Sequence, residues 1–450
     1  MLASIPHKRL FLSALLIRLV LAPVSFHPWE WSTWINVIND LKHGVSPYLK
    51  FVLLSDLVSS RVVEGPGWSM YFEYWAYPPL WLLFLLPLVL LPLPSLDWGS
   101  FSGIAFITFS PDPVSSFFLK LPIIAFDLMA GWALWLIARI RFPEKAGLAL
   151  KSWLFNPLVI FITAVWGHFD VAAVFFMLMS VYLFLSQRLV LSAIFLALGF
   201  STKIFPVFLL PLFFLKLQGR EKILWLFCFS FTSFIIFLPF LSRELLEAIL
   251  IFHSERLGGG MTYWSFLWVA AEWLGLNRLK WGISLSTAYL PIMISVLLFF
   301  YLRFRNDTDI IRYSAIILLG VLVTSKLVNE PYSLWPLPFI ILFWLSGEIS
   351  EIKFKLYYSI PIAFAFIGVP ITNFFKGVLI GNPWGERALA YFALPIPFRV
   401  LWLFLLGLSF SIVSLKIILT LKNQAGSRLS KDSARYNGWK SGFHILRSFL

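Results

Sequence analysis

Leu136-Ile137-Ala138-Arg139-Ile140-Arg141-Phe142-Pro143-Glu144-Lys145-Ala146-Gly147-Leu148-Ala149-Leu150-Lys151 is the stretch whose reading decides how this chain is folded. It sets four basic residues between two long apolar runs, 118–138 and 150–166. In a protein that crosses a bilayer repeatedly, Lys and Arg collect in the short cytoplasmic loops. The stretch is therefore placed on the cytoplasmic side. That placement resolves an ambiguous run upstream, Pro79 to Pro94, which is apolar but short and rich in proline. Counted as a span, it would carry the four basic residues outside; lying in the interface, it leaves them inside. The second reading is adopted.

Working outward, a spanning helix needs about 20 mainly apolar residues. The first run, Leu10 to Phe26, follows Lys8-Arg9 and lacks an A-x-A-like cleavage site, so it reads as an uncleaved first helix with a cytoplasmic N-terminus. Further spans are expected at 118–138, 150–166, 171–187, 189–203, 204–217, 222–241, 282–302, 310–326, 332–346, 355–371 and 396–421, which makes twelve and leaves both termini cytoplasmic. The expected fold is thus all-α: one polytopic membrane domain over 1–421, with a long first non-cytoplasmic loop at 27–117 containing interfacial helices, and a basic cytoplasmic tail at 422–450.

Composition agrees. Of 450 residues, 60% are hydrophobic and only 13% charged, against about 45–50% and about 25% in soluble domains. A net charge of +14 would raise nucleic acid in a soluble protein. Here the basic residues sit between apolar runs and point to topology instead, so no nucleic-acid partner is expected. Cys228 is the single cysteine, which rules out an intramolecular disulfide.

On this topology four polar groups gather on the external face: the 27–117 loop; Trp166-Gly167-His168-Phe169-Asp170; Ser201-Thr202-Lys203-Ile204-Phe205-Pro206, which breaks an apolar run as discontinuous helices do beside a cavity; and Ser325-Lys326-Leu327-Val328-Asn329-Glu330-Pro331-Tyr332. Ionisable groups at membrane depth are costly and mark sites. Taken singly, Trp166 and His168 also suit interface anchors, and Lys203 and Lys326 suit lysines snorkelling to headgroups. P-loop, GxGxxG and HExxH motifs are absent. Gly258-Gly259-Gly260 lacks the flanking residues of a nucleotide loop and reads as a flexible hinge. No His/Cys cluster suggests a structural metal.

Several short patterns carry a resemblance. Gly44-Val45-Ser46-Pro47-Tyr48 and Tyr74-Trp75-Ala76-Tyr77-Pro78-Pro79-Leu80 follow the first helix. Leu119-Lys120-Leu121-Pro122 runs on to Asp127-Leu128, and Leu154-Phe155-Asn156-Pro157 and Lys203-Ile204-Phe205-Pro206 come next. Lys326-Leu327-Val328-Asn329-Glu330-Pro331-Tyr332-Ser333-Leu334-Trp335 closes the series. In this order they resemble the GT-C superfamily of membrane glycosyltransferases, most closely the GPI mannosyltransferase I catalytic subunit and its prokaryotic relatives, over about residues 10–345. The resemblance implies an inverting mannosyl transfer from a dolichyl- or polyprenyl-phosphate-linked donor to a glycan, lipid or protein acceptor, with a small membrane partner subunit as a further expectation. The family's acidic D-x-D-like motif falls on Pro28 and Glu30, so the pair is reduced to one glutamate.

Glu30 is then the expected general base, with Glu73 and Asp40 as alternatives. Lys203, Lys326 and His168 are expected to bind the donor phosphate, and Asp170, Tyr48, Tyr77, Glu330 and Tyr332 to orient His168 or line the site. The lipid-linked donor takes the place of a cofactor; no metal ligand is assigned, and participation of a divalent metal stays open. Two other readings share the broken helices and buried charges: a transporter or lipid flippase, and a scaffold whose site has decayed.

Overall fold

The computed structural model describes residues 7–50, 75–93, 112–251, 259–266, 269, 270, 274, 289–304, 309–368, 374, 375 and 396–428. The described chain is almost entirely helical. Its elements are α1 (Lys8–Leu21), α2 (Pro28–Lys42), α3 (Leu80–Leu85), α4 (Pro113–Arg141), α5 (Ala146–Leu154), α6 (Pro157–Ile160), α7 (Asp170–Leu185), α8 (Leu189–Thr202), α9 (Leu210–Lys216), α10 (Gly219–Phe237), α11 (Arg243–Leu246), α12 (Tyr289–Phe304), α13 (Ile310–Thr324), α14 (Leu337–Leu345), α15 (Glu351–Gly368) and α16 (Ile396–Arg428).

Local sequence explains many of the helix starts. Pro28, Pro113 and Pro157 occupy first-turn positions, where a missing N–H costs nothing. Asp112 caps α4 by accepting the Ser115 N–H at 2.8 Å, and Asn156 caps α6 by accepting that of Leu158 at 3.0 Å. α7 packs between α4 and α8, α8 against α10, and α16 against α13 and α15. Polar cross-links at the N-terminal end of α13 support this packing. Arg312 pairs with Glu348 at 2.8 Å and donates to the Leu421 carbonyl of α16 at 3.0 Å, while Arg141 reaches Asp309 at 2.7 Å.

Among the described residues, three helices are long and apolar enough to cross a membrane: Pro113–Arg141, Gly219–Phe240 and Arg399–Gln424. Pro143–Leu154 and Pro157–Trp166 together make a fourth, bent by 42° where Asn156-Pro157 interrupts the helix. The described parts of the other expected spans fall on elements that do not pass that test, and 282–288 and 369–371 lie outside the described residues. The run 204–217 is a 3₁₀ turn (Phe205–Leu209) and the short α9, and 332–346 is a 3₁₀ turn (Glu330–Leu334) and α14. Prolines 206, 331 and 336 break these segments. The last helix runs through Arg428, past the boundary expected at 421.

One sequence reading gains detail and one changes. The apolar run after Pro79 is folded against the body: Trp81, Leu82 and Leu85 are fully buried, and Leu83, Leu86 and Leu90 face outward. Gly259–Gly260 is not a hinge. It pairs in parallel with Leu327–Val328, with the Met261 N–H on the Val328 carbonyl at 2.7 Å. Gly260 adopts φ +74°, and a Cβ there would lie 2.2 Å from the Val328 oxygen, so the backbones approach closely only because the residue is glycine. Gly258 lies outside the described residues.

Candidate active site

The site forms where four helix ends meet. Glu30 lies in the first turn of α2, whose N-terminal dipole favours a carboxylate there. Asp170 opens α7, so it too sits at a helix N-terminus. Lys203 follows the last residue of α8, where its N–H bonds the Gly199 carbonyl at 2.9 Å and its charge meets a helix C-terminus. The turn Glu330–Leu334 brings in Tyr332 and then Trp335. Each charge thus has the sign its helix end favours.

His168 is delivered by a backbone irregularity. A π-turn over Phe161–Trp166 ends in Gly167 at φ +82°, and the N–H groups of Gly167 and His168 both bond the Ile162 carbonyl, at 3.1 and 3.0 Å. Such π-turns are frequent at functional sites. A Cβ on Gly167 would lie 2.7 Å from the Phe26 ring, so both backbone angle and space require glycine.

These pieces form one chain of polar contacts. His168 Nε2 lies 3.5 Å from Glu30 Oε1, and its Nδ1 lies 3.1 Å from Asp170 Oδ1. The Lys203 ammonium donates to Asp170 Oδ1, and Trp335 Nε1–H donates to Asp170 Oδ2 at 2.8 Å. The Asp170 side chain is fully buried and that of Glu30 is 14% exposed, so the chain runs from a partly open carboxylate to a closed one. Around it stands an aromatic cage. Lys203 Nζ lies 4.7 Å from the Tyr77 ring and 5.1 Å from those of Phe169 and Tyr332. Phe169 in turn stacks on Trp81 at 5.0 Å and Trp75 at 5.7 Å.

Burial shifts two nearby groups. His27, stacked on Trp166 at 4.5 Å, has its pKa lowered to about 3, first by burial and then by repulsion from His168. Burial raises the Glu330 carboxyl to about 7, opposed only by its own backbone N–H. A carboxyl poised there exchanges protons at neutral pH.

The expected residues are therefore only partly brought together. Glu30, His168, Asp170, Lys203, Tyr77 and Tyr332 converge. Lys203 is 5% exposed and paired with Asp170, so it does not snorkel. Lys326 is buried elsewhere, 5.1 Å from the Tyr289 ring, on the segment that Thr262 holds by donating to the Ser325 carbonyl at 2.9 Å. Tyr48 does not line the site; its hydroxyl donates to the Tyr77 carbonyl and ties the two loop motifs together. Asp40 lies on α2, ten residues beyond Glu30, roughly 15 Å along the axis, too far to serve the same hydroxyl. Glu73 lies outside the described residues.

Sequence reasoning gave no role to three residues. Trp335 completes the Asp170 carboxylate; its indole, at the end of the last motif, was the available signal. Arg18 is fully buried on α1. It pairs with Asp127 at 2.6 Å, and Asp127 also accepts from Thr163 at 2.7 Å and Trp153 at 3.0 Å, joining α1, α4, α5 and the π-turn. Lys120 is fully buried beside the site. Among the described residues, no three His, Cys, Asp or Glu side chains converge so as to hold a metal ion.

No protein-family model matches this chain, and no curated protein matches it in sequence.

Proposed function

We propose that this protein is a multi-pass membrane glycosyltransferase that moves a hexose, mannose on the motif resemblance, from a polyprenyl- or dolichyl-phosphate donor to a glycan, lipid or protein acceptor on the non-cytoplasmic face. The observation that carries the reading is the Glu30–His168–Asp170–Lys203 chain: a base and a cation, preorganised at helix ends and walled by aromatic rings. Two partners are expected, the lipid-linked donor and the acceptor. The twelve-span topology belongs to the proposal. In it the short α7 meets the site and is enclosed by protein along nearly its whole length, so it need not match the lipid thickness.

Glu30, the more exposed carboxylate, takes the proton of an acceptor hydroxyl. The freed oxygen attacks the anomeric carbon as the bond to the donor phosphate breaks, and the phosphate leaves with the electron pair. His168 faces Glu30 with its Nε2, while its Nδ1 accepts the Asp170 backbone N–H at 3.3 Å, which fixes the ring. Lys203 stabilises the charge that grows on the phosphate, the kind of preorganised electrostatics that contributes most to such steps. Tyr77 and Tyr332 face the same ammonium and suit the sugar and the first isoprene units.

The test is transfer of radiolabelled polyprenyl-phosphate-mannose by the purified protein in lipid. Glu30→Gln is expected to lower turnover by about 10²–10⁴-fold, the usual contribution of a general base. Full activity in that variant would remove Glu30 from its role. No turnover of mannosyl, glucosyl or arabinosyl donors, together with substrate uptake into vesicles, would overturn the transferase reading in favour of transport.

A further inference from the structure

Lys120 lies on α4 with its side chain fully buried, and no step of the proposed transfer uses it. Its ammonium is surrounded by oxygen. It donates to the Ser25 carbonyl, to Ala164 O at 2.7 Å and to Val165 O at 3.1 Å, with Ser25 Oγ at 3.3 Å and Ala22 O at 3.4 Å. The Phe26 ring lies 4.7 Å away. These oxygens come from two backbone segments: the one that ends α1, capped by Ala22, and the π-turn that ends at Trp166. The last carbonyls of a helix have no partner within it and carry the negative end of its dipole. Two such ends brought together in an apolar surrounding repel each other unless a cation stands between them.

We infer that Lys120 is a tethered cation filling a monovalent-cation site built from backbone carbonyls, and that it thereby sets the register between Glu30 and His168. Ser25 precedes Glu30 by a single turn of chain, and Val165 precedes His168 likewise. The other described hydrogen bonds that join these two segments directly are His27 N–H to Trp166 O at 2.9 Å and the Ser25 hydroxyl to Ala164 O at 3.3 Å. The ring of oxygens has the chemistry to hold an ammonium-type ion whether or not that ion is attached to the chain. Lys120 is accordingly a positioning residue. Its effect on turnover rests on the transferase reading, but the cation site does not.

The experiment is hydrogen exchange on the full chain in lipid nanodiscs, following peptides that cover 22–31 and 161–170, with α13 as a control for global folding. Lys120→Ala is expected to exchange on the order of tenfold faster in both peptides, the effect of losing about one charge-assisted hydrogen bond, with α13 unchanged. Ethylammonium chloride is expected to restore protection; choline chloride, too large and without N–H donors, and neutral ethanol are not. Equal rescue by ethanol would overturn the inference in favour of packing alone, and unchanged exchange without any additive would overturn it outright. Lys120→Met, which keeps volume without charge, serves if the alanine variant does not fold; native protection in that variant overturns the inference equally. Mannosyl transfer measured on the same samples separates the two proposals. Ethylammonium rescue of exchange in a protein whose wild type transfers no sugar would keep the cation site and remove the transferase.

Discussion

Replacing Asp170 with Asn tests the electrostatic organisation of the site. The carboxylate is fully buried; one oxygen meets Lys203 and His168, and the other accepts from Trp335 at 2.8 Å. Asparagine keeps the volume and one acceptor but removes the charge, so the buried Lys203 ammonium loses its counter-ion. Removing one partner of a buried pair costs about 3–5 kcal/mol. The individual hydrogen bonds to the carboxylate, each about 1.5–3 kcal/mol, are part of that cost and not additional to it. Lys203→Met is expected to cost less, because Trp335 still serves the carboxylate. The double variant Asp170→Asn/Lys203→Met leaves neither charge and is expected to be more stable than the sum of the singles implies, with a coupling of about 1–3 kcal/mol. The assay is unfolding of all four proteins in the same detergent, followed by tryptophan fluorescence. A coupling below about 0.5 kcal/mol, the level expected of independent sites, would refute the claim that these two residues form an interdependent pair.

Glu330 makes stability depend on pH. Its carboxyl is raised from 4.5 to about 7 by burial, so its contribution is fully present below about 4.5 and is lost as pH rises through about 7. Glu330→Gln is expected to flatten that slope and to raise the thermal midpoint at neutral pH; an unchanged profile would contradict the assignment. Trp335→Phe keeps the stacks on Phe205 (4.3 Å) and Tyr332 (4.4 Å) but removes the N–H to Asp170. It is expected to lower transfer by about 10–100-fold, the kinetic equivalent of about 1.4–2.7 kcal/mol, and a fall in kcat with KM held is the signature of positioning. Gly219→Ala, at φ +50° with open space around it, is expected to cost only the left-handed backbone term of about 1–2 kcal/mol, while Gly260→Ala, which would also drive a Cβ into the Val328 carbonyl, is expected to cost more than that. Comparing their thermal midpoints checks this.

What was legible in the sequence follows from what periodicity and cost can report. Apolar runs bounded by basic residues reveal helices, and nearly every expected span coincides with a helical element. Polar residues that interrupt such runs reveal a buried cluster, and the convergence of His168, Asp170 and Lys203 was visible for that reason. The length of each helix was less legible, because a proline after a polar triplet shortens an element without altering its hydropathy; 204–217 shows this. Partnership was not legible at all. Nothing in the chain's order says that Arg18 meets Asp127, 109 positions away, or that Trp335 reaches Asp170 across 165. Gly259–Gly260 misled for a related reason: glycine signals freedom in one context and close approach in another, and only the position of Val328 distinguishes them.

On the proposed transferase reading, the arrangement also constrains how a donor phosphate would be held. Counting Glu30 and Asp170 against Lys203 leaves the cluster with an excess of negative charge when His168 is neutral, which suits a base acting on a neutral hydroxyl but opposes an approaching phosphate. A lysine ammonium has three hydrogens, and Asp170 engages one of them. Lys203 therefore need not release Asp170 in order to meet the donor, and keeping that contact fixes the direction in which the other hydrogens point. The Tyr77, Phe169 and Tyr332 rings, within 4.7–5.1 Å, narrow that direction further. Charge balance then calls for a second cation when the phosphate arrives. Of the expected cations only Lys326 remains, and because its ammonium lies against the Tyr289 ring at 5.1 Å and contacts neither Asp170 nor Lys203, the proposed transfer requires the segment that Thr262 and Val328 hold to bring it toward Lys203 when the donor binds.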